Sequence, residues 1–265
     1  MQPPAAEATI HVVNDTVKGF LASILPTSIR RARRDFLIRR RWKSLEKLPP
    51  RELFRVIYAD GIWGSSGDPN EQFFSGTGSH DASFVETYYG AVEKFVRRFP
   101  PHTLTVADLG CGDFAIGSRL RPLFSKYTAC DVVEPLVERN RQRFASLDVD
   151  FRVVDLTTDP LPPADVVIIR QVLQHLSNAQ IQAAIAKIPH AYRYLILSEH
   201  LPFSDDFVPN LDKPAGPHTR LDSGGPVSGV VLTAPPFNLK AKSSTPMCEV
   251  RDFIGIIRTT LYEFR

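Results

Sequence analysis

Acidic residues flank a pair of glycines in the centre of the chain. Asp108 precedes Gly110 and Gly112, and Asp113 follows them directly. Glycines let a ligand approach the backbone closely and permit a tight turn. The frame from Gly110 to Ala115 also fits the weak fingerprint of dinucleotide-binding enzymes. Carboxylates at this place would repel a pyrophosphate, however. They suit a ligand that carries an ammonium and a sulfonium, which predicts S-adenosylmethionine.

A third acid, Asp131, lies where a nucleoside is commonly bound. Asp131 ends the next apolar segment, about 20 residues beyond the glycines, where it can accept hydrogen bonds from both ribose hydroxyls. Asp155 and Leu156 follow the third apolar segment. Acids that follow successive parallel strands meet at one edge of a sheet. The sequence therefore predicts one ligand crevice that these residues share.

Alternating apolar and helical segments must position these acids. The nearly continuous apolar runs are typical of parallel strands buried on both faces. The predicted fold is α/β: a Rossmann-like, doubly wound, mostly parallel seven-stranded sheet with an antiparallel C-terminal strand and an N-terminal helical extension. We expect strands at 104–107, 127–130, 151–154, 166–169, 194–197, 247–250 and 259–264, and helices at 51–59, 84–99, from 115, at 135–144 and at 179–186.

The order and spacing of these pieces across about residues 103–200 resemble the class I S-adenosylmethionine-dependent methyltransferases. The shared pieces are Asp108 to Gly112, Asp131, Asp155 with Leu156, and the segment Gln171 to Leu176. The resemblance implies that Asp108, Gly110 and Gly112 bind the methionine end, Asp131 the ribose, and Asp155 with Leu156 the adenine. Asp113 and Gln171 are expected among the cofactor-binding residues as well. Phe114 departs from the pattern, because many members have a third glycine there.

A narrower resemblance is to bacterial methyltransferases that are often encoded beside glycosyltransferases. The matching pieces are Trp63 with Gly64, the segment Ser75 to Ser79, and the segment Ala234 to Phe237. The resemblance implies that Trp63, Ser75 and Gly76 lie on the cofactor side. For Phe237 we expect packing rather than ligand contact. The implied acceptor is a hydroxyl of a sugar or another small molecule.

An acceptor hydroxyl profits from a base when it must lose a proton as it attacks the methyl group. Candidates for this base are Glu199 and His200 after the fifth strand, and His80 beside the glycine-rich loop, 61–78. A rim or salt-bridge role is the alternative for Glu199 and His200, and a plain loop role for His80. The family segment favours a structural role for His175, in which it orients the following helix.

We divide the chain into a basic helical extension, 1–50, and a methyltransferase domain, 51–265. Within the domain, 51–100 holds helices and a lid loop, 103–200 the cofactor core, and 202–246 the acceptor-side loop. Residues 29–43 contain eight Arg or Lys and one acid. That segment is interpreted as a solvated helix, with peripheral membrane contact or nucleic-acid binding as alternatives. Nucleic acid is the weakest of the three.

Composition narrows the function further. The three cysteines have no metal-ligand spacing, so we expect no metal site and a reducing compartment. No apolar run would span a bilayer and no signal peptide is recognisable, which predicts a cytoplasmic protein. A methyltransferase for RNA or protein and a non-catalytic cofactor-binding protein remain alternatives. Arg170 and Gln171 replace the Asn/Asp-Pro-Pro-aromatic motif of many amino-group methyltransferases, which disfavours methylation of a base or amide nitrogen.

Overall fold

The computed structural model describes residues 45–68, 71–222 and 225–265. Contacts divide the chain into one unit of residues 1–47 and a second of residues 48–265. The basic segment 29–43, with its possible membrane or nucleic-acid contact, lies outside the described residues. No helix among the described residues is long and apolar enough to cross a bilayer. The architecture below is that of the second unit.

Seven strands form one mixed sheet in the order β3-β2-β1-β4-β5-β7-β6. The first five strands run parallel, and β7 is antiparallel to both β5 and β6. This topology confirms the predicted Rossmann-like fold with its antiparallel C-terminal strand. The strands are β1 (Thr105–Leu109), β2 (Lys126–Asp131), β3 (Val149–Val153), β4 (Val166–Arg170), β5 (Tyr194–Leu201), β6 (Ser243–Arg251) and β7 (Ile256–Glu263).

Local sequence signals determine where several helices begin. Asp81 caps one helix by accepting a hydrogen bond from the Ser83 amide, and Ser177 with Gln180 forms a capping box at another. A proline opens the first helix, where its missing amide costs nothing. The helices are α1 (Pro50–Ala59), α2 (Ala82–Val96), α3 (Ala115–Leu120), α4 (Glu134–Arg143), α5 (Asn178–Ile185) and α6 (Ile188–Ala191).

The strand β5 is longer than its apolar run predicts. The run Tyr194 to Leu197 suggests an end before Ser198, yet the strand continues to Leu201 with every residue buried. Ser198 and Glu199 can remain in the sheet because their side chains have buried partners. The Ser198 hydroxyl, for example, lies 2.7 Å from that of Thr259 on β7. Two candidate site residues, Glu199 and His200, therefore lie within a buried strand rather than in a loop after it.

The long connection between β5 and β6 is held together by one asparagine. Asn210 is buried with a φ of 60°, and its side-chain amide donates to the carbonyls of Val231 and Pro235 at 2.9 Å each. Its side-chain oxygen accepts the amide of Val231 at 2.8 Å. Phe237, in the same loop, is buried, as expected for a packing residue. These bonds join two distant parts of this connection, residues 202–242, which we call the late loop.

Candidate functional site

A cavity of about 360 Å³ opens at the carboxyl ends of the parallel strands. Strands β1, β2, β4 and β5 form its floor, and α1, α2, the glycine-rich loop and the late loop form its walls. Twelve predicted site residues line it: Trp63, Ser75, Gly76, Asp108, Gly110, Gly112, Asp113, Asp131, Asp155, Leu156, Gln171 and His200. The candidates His80 and Glu199 are not among its lining residues. The volume is in the range of small-molecule pockets.

Asp108 is a buried acid at the end of β1. Its carboxylate accepts a hydrogen bond of 2.8 Å from the Tyr127 hydroxyl. Burial raises the pKa of Asp108 to about 7, an effect that the Tyr127 bond and the Arg170 charge oppose. Burial disfavours the charged form of a carboxyl group. A cation bound beside Asp108 would restore the ionised form, so this position is suited to an ammonium.

Asp131, at the end of β2, is held by backbone amides of the glycine turn and of its own segment. Asp131 accepts the amide of Gly112 at 3.0 Å and that of Val133 at 3.1 Å. Gly112 has a φ of 56°, and a Cβ there would lie 2.3 Å from the Ser75 hydroxyl. Only glycine satisfies both constraints without strain. Burial raises the pKa of Asp131, an effect that its backbone hydrogen bonds oppose.

Phe114 explains how this chain departs from the family pattern. Its backbone is left-handed, with a φ of 62° and a ψ of 16°, a conformation in which glycine is easily accommodated. Its ring is fully buried, 4.9 Å from the Phe151 ring and 5.5 Å from the Tyr127 ring. The side chain therefore packs in the core and does not line the cavity. A phenylalanine at this position leaves the floor of the site open.

Ser75 and Asp113 attach the glycine-rich loop to the turn. Their reciprocal bonds are supplemented by the Tyr58 hydroxyl, 3.0 Å from that of Ser75. His80 Nε2 lies 2.8 Å from an Asp113 carboxylate oxygen, and its ring stacks on Phe74. His80 thus contacts the outer side of this junction, which favours the loop role over the catalytic one. The Asp113 carboxylate is likewise engaged by protein groups.

The structure separates the two candidates on β5, because successive residues of a strand point to opposite faces. The Glu199 carboxylate accepts the amides of Leu173 at 3.0 Å and Gln174 at 2.9 Å. Burial raises the pKa of Glu199 to about 8, an effect that the Arg220 charge opposes. This environment favours a structural role for Glu199. His200, on the other face, lines the cavity with 5% of its surface exposed.

Two arginines, the partly buried Arg170 and the buried Arg220, support the site. Arg170, at the end of β4, donates to the Gly78 carbonyl at 2.5 Å and lies 5.3 Å from the Tyr88 ring centroid. Arg220 donates to the carbonyls of Leu173, Gln174 and Leu176. Arg170 lines the cavity, and Arg220 supports the segment beneath it. An arginine that ends an apolar strand is the one sequence signal for Arg170; nothing local indicates that Arg220 is buried.

Trp63 and His175 connect two walls of the cavity. The Trp63 indole donates to the Pro217 carbonyl at 3.2 Å, and its ring centroid lies 5.0 Å from that of His175. His175 Nδ1 donates to the Gly216 carbonyl at 3.2 Å. Burial lowers the pKa of His175 to about 3, so its ring is neutral at physiological pH. This arrangement is consistent with the predicted structural role of His175.

The sheet order, the glycine turn and the cavity above it define a class I methyltransferase fold. Residues 107–193 match a family model described as a methyltransferase domain. The predicted family is thereby confirmed. An uncharacterized methyltransferase of Mycobacterium tuberculosis is 32% identical over 83 residues. That match covers 31% of this chain and 42% of the relative, so the chain spans less than half the length of the curated relatives it matches.

Solved structures agree with the fold. The N-methyltransferase NodS from Bradyrhizobium japonicum, in complex with S-adenosylhomocysteine, has a TM-score of 0.51 at 14% identity. That match covers 71% of this chain and 90% of NodS. A methyltransferase from Leishmania major, described as S-adenosylmethionine-dependent, has a TM-score of 0.53 at 20% identity. That match covers 71% of this chain and 76% of the Leishmania major chain. At these identities the likeness shows the fold alone.

Proposed function

We propose that this protein transfers a methyl group from S-adenosylmethionine to a hydroxyl of a sugar or another small molecule. One observation carries the proposal: a single cavity joins three acids, Asp108, Asp131 and Asp155, to His200. The acids provide a site for a cationic nucleoside, and the histidine provides a base. The methyltransferase family of residues 107–193 supports the same reaction class.

Three parts of the cavity would hold the cofactor. Asp108 would pair with the ammonium, and Asp131 would accept the ribose hydroxyls with the lone pairs that its two backbone bonds leave free. Asp155 and Leu156 would hold the adenine. Asp155 is oriented by Thr157, whose amide and hydroxyl both donate to one carboxylate oxygen at 2.8 and 2.6 Å. The second oxygen of Asp155 would accept the adenine amino group. The cofactor, when bound, supplies an electrophilic methyl group.

His200 would act on the other side of the methyl group. The acceptor oxygen attacks the methyl carbon, the carbon–sulfur bond breaks with its electron pair left on sulfur, and His200 takes the hydroxyl proton. General-base assistance of this kind typically contributes about 10²–10⁴ in rate. Holding the two reactants in line can contribute roughly 7–11 kcal/mol more. The walls of the cavity, from Tyr88 on α2 to Thr219 in the late loop, would provide that alignment.

Calorimetric titration with S-adenosylmethionine, with NADH as the control, tests the cofactor. We expect micromolar binding of the first and none of the second. Release of S-adenosylhomocysteine in the presence of neutral sugars then tests the acceptor class. Binding of NADH alone would replace this proposal with a dehydrogenase. A cytoplasmic location and contact of residues 29–43 with a membrane stay predictions.

A further inference from the structure

We propose that Asp252, in the turn between β6 and β7, is a positioning residue that makes His200 Nδ1 the base. The inference rests on the proposed methyl transfer to a hydroxyl and adds the atom that takes the proton. It begins from a close contact: His200 Nε2 lies 3.0 Å from an Asp252 carboxylate oxygen. Both residues line the cavity, and they reach it from different strands.

The turn holds the Asp252 carboxylate in a fixed place. The same oxygen accepts the amides of Ile254 and Gly255 at 2.9 Å each. The Asp252 amide in turn donates to the Gly255 carbonyl at 3.0 Å. A carboxylate that accepts two backbone bonds is oriented before any ligand arrives. Asp252 can therefore determine how the neighbouring imidazole is turned.

Gly255 lets the turn lie directly against β5. A Cβ at this residue would come within 2.3 Å of the Leu201 carbonyl and 3.2 Å of His200 Cδ2. Any other residue would push the turn away from the strand. The close approach places Asp252 beside the imidazole, and it shows that the Cδ2–Nε2 edge of the ring faces the turn.

The opposite edge of the imidazole carries Nδ1. This atom makes no hydrogen bond to any residue within 45–68, 71–222 or 225–265, whereas the backbone amide of His200 donates to Gln174. Nε2 is buried, and although it lies at hydrogen-bonding distance from Asp252, the ring is out of line for a bond. A small rotation of the ring would align Nε2–H with the carboxylate. The bond would fix the Nε2–H tautomer and leave the Nδ1 lone pair for the acceptor.

Three other charged groups in or near the cavity have partners of their own. Arg170 is engaged by Gly78 and the Tyr88 ring, and Asp222 accepts from Thr219 at 2.6 Å. The Glu199 carboxylate, on the other face of β5, accepts the amides of Leu173 and Gln174.

The pairing of His200 with Asp252 predicts an acceptor that must lose a proton as it attacks. A neutral alcohol has this requirement, and an acceptor that is already anionic does not.

Nitrogen-15 spectra of the histidine rings in the full-length protein, saturated with S-adenosylhomocysteine, test the pairing without an acceptor. We expect neutral His200 to show the Nε2–H tautomer in the parent protein. Asp252→Ala should give a mixture of both tautomers, and Asp252→Asn, which keeps an oxygen acceptor, should restore Nε2–H. Asp222→Ala is the matched control: its partners are Thr219, at 2.6 Å, and His218, at 3.6 Å, and the His200 signals should not change.

Turnover provides the second readout. With a hydroxyl acceptor from the sugar screen, His200→Gln should lower kcat by about 10²-fold or more. Asp252→Ala should lower it less, and Asp252→Asn should recover part of that loss. An Nδ1–H tautomer in the parent protein, or His200 signals unchanged in Asp252→Ala, would overturn the pairing. Failure to bind S-adenosylmethionine would instead overturn the proposed function, so the two failures are distinguishable.

Discussion

Ser75 and Asp113 bind each other twice. The Ser75 amide donates to the Asp113 carboxylate at 2.9 Å, and the Asp113 amide donates to the Ser75 hydroxyl at 2.8 Å. One residue belongs to the glycine-rich loop and the other to the turn after β1. The pair therefore sets the distance between the glycine-rich loop and the floor of the cavity.

We expect Ser75→Ala to weaken binding of S-adenosylmethionine by about threefold to tenfold. The substitution removes the acceptor of the Asp113 amide and the partner of Tyr58, and a hydrogen bond contributes about 0.5–1.5 kcal/mol. Calorimetry measures the change. Ser66→Ala is the control, because the Ser66 hydroxyl lies in an exposed part of the same loop. Equal affinities in the two variants would show that the pair does not govern the site.

Replacing Asp131 tests the ribose assignment. Asp131→Ala should weaken cofactor binding by at most about 3 kcal/mol, because it removes hydrogen bonds to hydroxyl groups. The control is Asp150→Ala, which removes a carboxylate that pairs with Arg152 on the exposed part of β3. Unchanged affinity in a folded Asp131→Ala protein would make the assignment wrong.

Binding of the cofactor should release a proton at pH 6. The pKa of Asp108 is raised to about 7, so this carboxyl is mostly protonated at pH 6 in the free protein. An ammonium bound beside it favours the ionised form and lowers the pKa, which expels the proton. Calorimetry at pH 6 in buffers of different ionisation enthalpy counts it. Release should fade above pH 8, where Asp108 is already ionised, and should be absent in Asp108→Asn at either pH.

Two glycine substitutions should have opposite effects on stability. A Cβ on Gly117, in α3, would lie 2.2 Å from the buried Phe114 ring. Gly117→Ala should therefore lower the free energy of unfolding by about 1–3 kcal/mol, the usual cost of overpacking. Gly90, in α2, has no atom within 4 Å of a Cβ position. Gly90→Ala should raise the same quantity by about 0.5–1 kcal/mol, because alanine suits a helix better.

Chemical denaturation of both glycine variants and the parent protein measures these differences. A Gly117→Ala protein as stable as Gly90→Ala would mean that the Phe114 ring can move out of the way. The floor of the site would then be less rigid than its packing indicates.

The sequence could group the acids that are proposed to bind the cofactor, because their signals are local. Asp108, Asp131 and Asp155 each follow an apolar run, and parallel strands bring such positions to one edge. The parallel strands of the sheet were predicted from the same runs. Strand bounds were predicted less accurately. β5 extends through Ser198, whose hydroxyl lies against that of Thr259. Because Thr259 is distant in the chain, the residues around Ser198 do not indicate the longer strand.

The proposed acceptor side was harder to predict, because its contacts join residues that are distant in the chain. Asp252 comes close to His200 only through the pairing of β5 with β7, and Arg220 is buried only because the late loop folds back on the segment after β4. Neither contact has a periodicity or a spacing that a sequence reveals. Glu199 and His200 are neighbours in sequence, yet the alternation of a strand gives them different surroundings.

Trp63 and Pro217 join the loop before the core to the loop after it. The three acids that are proposed to bind the cofactor, in contrast, all lie within the contiguous segment 108–155. On the proposed function, substitutions that reshape the acceptor walls can therefore accumulate in the outer loops while this segment stays unchanged. In evolutionary terms, new acceptor preferences could arise in such a scaffold without the loss of its methyl donor.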